Sequence, residues 1–144
     1  MEFVQARNSA LNIVESLLAG ENLPHEDVPS SPGSFFLGYE GPSIVGCIGI
    51  EIGEKDALLR SLVVPKPHRR KGYGEMLFLK VLEHAKTRGV RNLYLLTTIA
   101  EDFFTRCGFS RIDRDKAPPF IRTSNEFRSL CPSSAALMHL IIKT

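Results

Sequence analysis

Hydrophobic residues recur along this chain at two different spacings, and each change of spacing marks a new element. In "NSALNIVESLLAG" Leu11, Val14, Leu17 and Leu18 fall on one side of a helix, with Asn8 or Ser9 as its cap and Gly20 as its stop. Residues 2–5 ahead of it read as a short strand. The Pro- and Ser-rich "ENLPHEDVPSSPGS" that follows predicts a loop with room for one helical turn, the segment expected to be most mobile. "SFFLGYEGPSIVGCIGIEIGEKDALLRSLVV" then predicts three strands, because β-branched and aromatic residues fill the runs between turns at Glu40-Gly41-Pro42 and Gly53-Glu54-Lys55.

From residue 72 to 88 the period lengthens again. Phe78, Val81, Leu82 and Ala85 form one stripe, Lys80, Glu83, His84 and Thr87 the opposite one, and Gly89 supplies the stop. "RNLYLLTT" returns to strand, "AEDFFTRCG" to a short helix, and "FSRID" to strand. "RDKAPPFIRTSNEFRSLCPSS" is an irregular excursion with a helical turn after Pro118 and Pro119, and "AALMHLII" closes as an apolar strand. An antiparallel meander followed by a strand-helix-strand unit predicts one mixed α/β domain over residues 1–144, a mostly antiparallel central sheet flanked by helices.

Composition narrows what such a domain does. The 144 residues suffice for one core, and a net charge of +2 is too small for wholesale binding to nucleic acid or to a membrane surface. Any electrostatic message is local: four of the 18 Lys and Arg residues lie within residues 66–71. No run approaches the roughly 18 apolar residues of a membrane span, and the N-terminus lacks the build of a secretory signal, so a cytoplasmic location is expected. Cys47, Cys107 and Cys131 have no metal-ligand spacing with each other or with the four histidines, which predicts no metal and reduced structural thiols, with a redox or nucleophilic role for Cys107 or Cys131 as the alternative.

The local charge sits in "VPKPHRRKGYGEML", between a strand and a helix. A helix N-terminus leaves N–H groups unpaired and carries partial positive charge. Glycines there let the backbone approach an anion, and Arg69, Arg70 and Lys71 surround the same point. The pattern predicts a phosphate site, most naturally for a pyrophosphate. It is not a dinucleotide fingerprint, since Leu77 stands where a third glycine belongs, and the P-loop sequence is absent.

"LVVPKPHRRKGYGEML" resembles the acyl-CoA-binding motif of the GNAT acetyltransferases, Arg/Gln-x-x-Gly-x-Gly/Ala, with Arg69, Gly72 and Gly74 in its places. "LYLLTTIAEDFFTRCGF" resembles the strand, short helix and closing Gly-Phe of the same family. The resemblance implies acetyl-CoA as cosubstrate and a small-molecule amine as acceptor, in a monomer or homodimer. It implies that Leu62, Val63 and Val64 pair with the pantetheine, that Arg69, Arg70, Lys71, Gly72, Tyr73 and Gly74 wrap the pyrophosphate, and that Thr97, Phe103 and Phe104 lie near the thioester. One departure stands out. Many members carry a tyrosine, proposed to protonate the departing thiolate, where this chain has Phe104. A general acid is typically worth about 10² to 10⁴ in rate, so its loss need not abolish transfer.

The acceptor side has fewer signals. No glutamate occupies "DALLRSLVV", where several members place one; Arg60 stands two positions before Leu62, on the same face by strand alternation, where it could clamp an acceptor carboxylate. Its bland alternative is a solvated strand arginine. Asp56 and Glu101 are weaker candidates for the base, each readily explained as a surface or capping acid. Of the adjacent Thr97 and Thr98, one should reach the thioester cleft that the resemblance implies at the end of this strand, although strand propensity alone also explains the pair. The stretch "R-KAPPFI-T-EF-SLCPSSA-LM" is similar to a subgroup identified as arsenic-resistance N-acetyltransferases, which implies a glutamate-like or arsenical amino acid as acceptor, with Arg114 and Arg122 as further cations near it and Glu126 or Asp113 as simpler partners for Arg122 and Arg128. An acetyltransferase of protein N-termini or lysines, and a coenzyme A-binding regulator without transfer activity, stand as alternatives. An RNA-binding module does not, because the basic loop lacks interleaved aromatics.

Overall fold

The computed structural model describes residues 1–143, with Ser129 and Leu130 by their backbone alone. Its elements run β1 (Glu2–Ala6), α1 (Ala10–Gly20), β2 (Ser34–Glu40), β3 (Ser43–Gly53), β4 (Asp56–Val63), α2 (Tyr73–Thr87), β5 (Asn92–Thr97), α3 (Glu101–Arg106), β6 (Ser110–Ile112), α4 (Pro119–Arg122) and β7 (Ala136–Ile141). The seven strands form one sheet in the order β1-β2-β3-β4-β5-β7-β6. The β1–β2, β2–β3, β5–β7 and β6–β7 ladders are antiparallel and β4–β5 is parallel. This is the mixed α/β, mostly antiparallel sheet with flanking helices that the alternating periods predict.

The chain divides into two compact units. The first comprises Met1–Glu51 with Arg60–His84. Here β2 is buried on both faces. Phe35 and Leu37 join Val14, Leu18, Val28, Cys47 and Val63 in a core with α1, while Phe36 stacks on Phe3 at 4.7 Å and meets the His84 ring edge-on at 4.9 Å. Gly46 lets α2 settle close, since a Cβ there would lie 2.6 Å from the Val63 carbonyl oxygen and 2.7 Å from the Leu77 side chain. The helix ends differ from the sequence expectation. Ser9 occupies the cap position of α1 without a side-chain cap bond, and the chain turns at Asn22 (φ 57°) rather than Gly20. The Leu23 N–H bonds the Leu18 carbonyl and the Asn22 N–H that of Ala19, a Schellman ending in which asparagine takes the left-handed position. The loop expected to be mobile is pinned at its centre, with Val28 buried in the core beside a 3-10 turn at Val28–Ser30.

The second unit comprises Ile52–Leu59 with the residues from Ala85 onward. Leu58, Tyr94, Ala117, Ile121 and Leu137 form its core with Leu96, Ile112, Phe120 and Phe127 against it. The β4–β5 ladder sets Asp56, Ala57 and Leu58 opposite Asn92, Leu93 and Tyr94; β4 itself goes on to Val63 and β5 to Thr97. The turn expected at Gly53-Glu54-Lys55 forms, with Gly53 as the last residue of β3, where a Cβ would lie 2.3 Å from the Phe120 ring. Glu54 takes the left-handed conformation of that turn (φ 53°). Gly89 and Gly108 end α2 and α3 as expected, both left-handed. The Phe109 N–H returns to the Phe104 carbonyl at 3.0 Å and their rings meet edge-on at 5.7 Å, the apolar contact that accompanies such an ending.

Candidate active site

β4 ends at Val63, and a 3-10 turn at Lys66–His68 leads the chain to the start of α2. Arg70 (φ 66°) and Gly72 (φ 83°) both adopt the left-handed conformation there. The first bond of α2 runs from the Met76 N–H to the Gly72 carbonyl at 3.1 Å, so the N–H groups ahead of it have no acceptor within the helix. Among the described residues, no backbone carbonyl accepts from the N–H groups of residues 70–75. A Cβ built on Gly72 would meet nothing within 4 Å, which leaves the space over the loop open. Lys66, Arg69, Arg70 and Lys71 are all exposed around it. N–H groups without backbone acceptors at a helix start, with exposed cations about them, are what an anion site needs.

Two side chains fix this loop to its surroundings. Arg69 donates from Nε to the Val64 carbonyl at 2.7 Å and pairs through Nη2 with Glu21 at the end of α1. The Tyr73 hydroxyl donates to Glu40 at 3.1 Å. Desolvation pushes the Tyr73 phenol up, and the Glu40 carboxylate adds to the shift, so the group stays a neutral donor.

Arg60 does something the sequence did not indicate. Its side chain is fully buried. Nη1 and Nη2 grip Asp27 at 2.6 and 2.7 Å, Nη1 also reaches Glu51 at 2.9 Å, and Nε donates to the Ser61 hydroxyl at 2.9 Å. The Phe35 ring covers the guanidinium at 5.4 Å, and Ser31 donates to the same Glu51 oxygen at 3.0 Å. Arg60 is therefore neither a solvated arginine nor a fork held out for a carboxylate. Ser61 has φ 63° inside β4, a left-handed residue that breaks the two-residue alternation. Arg60 is buried while Leu62 is half-exposed, so the shared face expected of them does not form.

In the second unit, the Thr97 hydroxyl accepts from the Ala100 N–H at 3.0 Å, closing the turn into α3. Thr97 is half-buried and Thr98 exposed. Glu101 lies in the first turn of α3 and faces Arg111 across 3.4 Å at the surface, the position of a helix-start acid. Phe103 and Phe104 meet edge-on at 5.1 Å, with Phe104 the buried member. Arg114 donates to the Ala135 carbonyl at 2.8 Å and lies over the Phe127 ring. Arg122 donates to the carbonyls of Ala117 and Asp115 rather than to Glu126 or Asp113. Both arginines thus brace the excursion before β7.

With this geometry in hand, comparison with known proteins is decisive for the family. Residues 9–109 match the acetyltransferase (GNAT) family. The chain belongs to that family. A protein named as an uncharacterized N-acetyltransferase from Chlorobaculum tepidum is 29% identical over 115 residues, covering 76% of this chain and 74% of that one. Rv2747 from Mycobacterium tuberculosis, solved in complex with CoA, superposes with a TM-score of 0.82 at 17% identity, over 99% of this chain and 100% of that one. N-acetylglutamate synthase from Neisseria gonorrhoeae, solved with coenzyme A and N-acetyl-glutamate, gives 0.82 at 19% identity, over 99% of this chain and 35% of that one.

The buried Phe104 ring offers no hydroxyl, so no acid stands at that place on α3. A second cluster escaped the sequence reading. His139 shares a 2.8 Å hydrogen bond with the Asn92 amide oxygen, the Asn92 Nδ2 donates to Asp56 at 3.2 Å, and the Tyr94 ring stacks on His139 at 4.6 Å. Because Asn92 gives its amide N–H to Asp56, its oxygen accepts, and His139 carries its proton on Nε2. Asp56, weighed as a base, is an acceptor within this cluster. Among the described residues no group of three or more His, Cys, Asp or Glu side chains converges as a metal site, and no helix is long and apolar enough to cross a membrane.

Proposed function

We propose that the chain, acting as one acyltransferase domain, transfers an acetyl group from acetyl-CoA to the amine of a small molecule by direct attack in a ternary complex. The observation that carries this reading is the open loop at residues 69–74, with the N–H groups from residue 70 onward unclaimed by backbone carbonyls and four exposed cations about it. It suits a diphosphate. The residues fit acetyl-CoA in three respects. Arg69, Arg70, Lys71, Gly72, Tyr73 and Gly74 are assigned to the pyrophosphate. Leu62 and Val63, at the end of a strand that outlasts its ladder with β5, and Val64 just beyond it are assigned to the pantetheine amides. Thr97, Phe103 and Phe104 are assigned to the acyl end, where the Thr97 hydroxyl keeps a proton to donate.

In the reaction the neutral amine attacks the thioester carbonyl, the C–N bond forms, the C–S bond breaks, and the thiolate leaves to be protonated. The amine proton passes to solvent through ordered water, since Glu101 is engaged by Arg111 and Asp56 by Asn92. Water also protonates the thiolate, because Phe104 carries no acid. For the acceptor we propose an amino acid, with glutamate-like and arsenical compounds first in line on the C-terminal resemblance and on a structural relative solved with N-acetyl-glutamate. Arg60, Arg114 and Arg122 do not supply its clamp, since each is engaged within the protein. The cytoplasm, which supplies acetyl-CoA and keeps thiols reduced, is the proposed location. Release of free thiol from acetyl-CoA across a panel of amino acids tests this function; no release with any amine, alongside tight binding of acetyl-CoA, points to a regulator instead.

A further inference from the structure

A left-handed residue with a Cβ in the middle of a strand costs free energy and persists only where neighbours hold it. Ser61 has three such holds. Its hydroxyl accepts from Arg60 Nε at 2.9 Å, its carbonyl accepts from the Cys47 thiol at 3.3 Å, and Arg60 is itself immobilised by Asp27 and Glu51. The stem of Arg60 lies on Gly49, where a Cβ would sit 3.4 Å from its Cγ. Every nitrogen of the guanidinium thus has a partner, and one of the three is aimed at the distorted residue. An arginine needed only to neutralise Asp27 and Glu51 has no use for that Nε contact.

We propose that Arg60 is a positioning residue for the acyl-carrier edge of β4: by holding Ser61 left-handed, it sets the direction in which the backbone of Leu62, Val63 and Val64 presents its N–H and C=O groups. The inference rests on the assignment of that edge to the pantetheine of acetyl-CoA. It also gives the Asp27 loop a role in affinity, because Asp27 fixes the arginine that fixes the strand.

Calorimetry with acetyl-CoA on a small set of variants tests it. Ser61→Ala removes the acceptor but leaves the ion cluster whole; acetyl-CoA should bind about tenfold more weakly, because the competent strand conformation becomes the minor one. Its KM for acetyl-CoA should rise while the acceptor KM holds. Ser61→Gly should lose markedly less than Ser61→Ala, since glycine takes a positive φ unaided. Arg60→Lys should weaken binding comparably, and adding Ser61→Gly to it should restore acetyl-CoA affinity without restoring the thermal midpoint, a separation that a merely structural arginine would not give. Equal losses in Ser61→Ala and Ser61→Gly, or a double variant no better than Arg60→Lys, overturn the proposal. Tight wild-type binding with no variant weaker overturns it alone, whereas wild-type protein that binds no acetyl-CoA removes the functional reading beneath it as well.

Discussion

Arg60 and Asp27, 33 residues apart in sequence, meet through two parallel hydrogen bonds of 2.6 and 2.7 Å, with the arginine side chain wholly out of solvent. Glu51 joins the same guanidinium, so one buried cation serves two carboxylates. The charge balance makes the two ends of the pair unequal. Removing Asp27's charge leaves Arg60 and Glu51 as a neutral pair; removing Arg60 leaves two carboxylates facing each other in a poorly solvated place.

Arg60→Met should therefore destabilise the fold by about 3 to 5 kcal/mol, the usual cost of stranding buried charge. Asp27→Asn should cost less, about 1 to 3 kcal/mol, since it weakens hydrogen bonds without stranding a charge. Urea denaturation of the two variants compares them directly. An Asp27→Asn loss as large as that of Arg60→Met would show that the pair does not carry an excess of negative charge.

His139 supplies a pH dependence of stability. Desolvation lowers its pKa below the ordinary 6.5, and the Asp56 carboxylate opposes this only in part. The folded protein thus binds the proton less readily than the unfolded chain. Its contribution is intact above pH 6.5 and is lost as the pH falls from there toward the folded-state pKa. Denaturant titrations between about pH 7 and pH 5 should show stability falling with acid, and His139→Gln should flatten that slope. A His139→Gln protein with the wild-type slope would assign the loss to other groups.

The three cysteines should divide by reactivity. Cys47 is fully buried, and burial pushes its thiol up to about 12, a backbone hydrogen bond from Val63 opposing only weakly. Cys107 and Cys131 are half-buried. A chromogenic disulfide reagent at neutral pH should titrate Cys107 and Cys131 in the native protein and Cys47 only after denaturation. Rapid native reaction of Cys47, identified by mass, would contradict the burial of β3 beside Ser61.

Much of the fold was legible because its signals are local. The amphipathic stripe of α2, the left-handed Gly72, Gly89 and Gly108, and the Phe104-to-Phe109 ending of α3 each lie within a few residues of their cause. The basic glycine loop between β4 and α2 belongs to this class, since strand, glycines and charge are contiguous. What sequence could not supply is pairing at a distance. Nothing near Asp27 points to Arg60, and nothing near Asp56 or Asn92 points to His139. The β2–β3 and β3–β4 turns fall where the sequence put them, but the reason for Gly53 lay at a distance: Phe120, far along the chain, requires it to lack a Cβ. Ser61 gave no warning at all, because a left-handed serine is created by its neighbours and not by its own propensity.

The anion cradle proposed at residues 69–74 bears the rest of the functional reading, and a paired substitution at Gly72 tests it most directly. Asparagine and aspartate have nearly the same shape and meet the same backbone cost at φ 83°, so the difference between them isolates charge. Titration calorimetry should show wild-type protein binding acetyl-CoA at a single site, Gly72→Asn binding up to about tenfold more weakly, and Gly72→Asp weaker by at least about a further tenfold as its carboxylate meets the diphosphate. Gly72→Asp and Gly72→Asn binding with equal affinity, both folded, would mean that the diphosphate lies elsewhere.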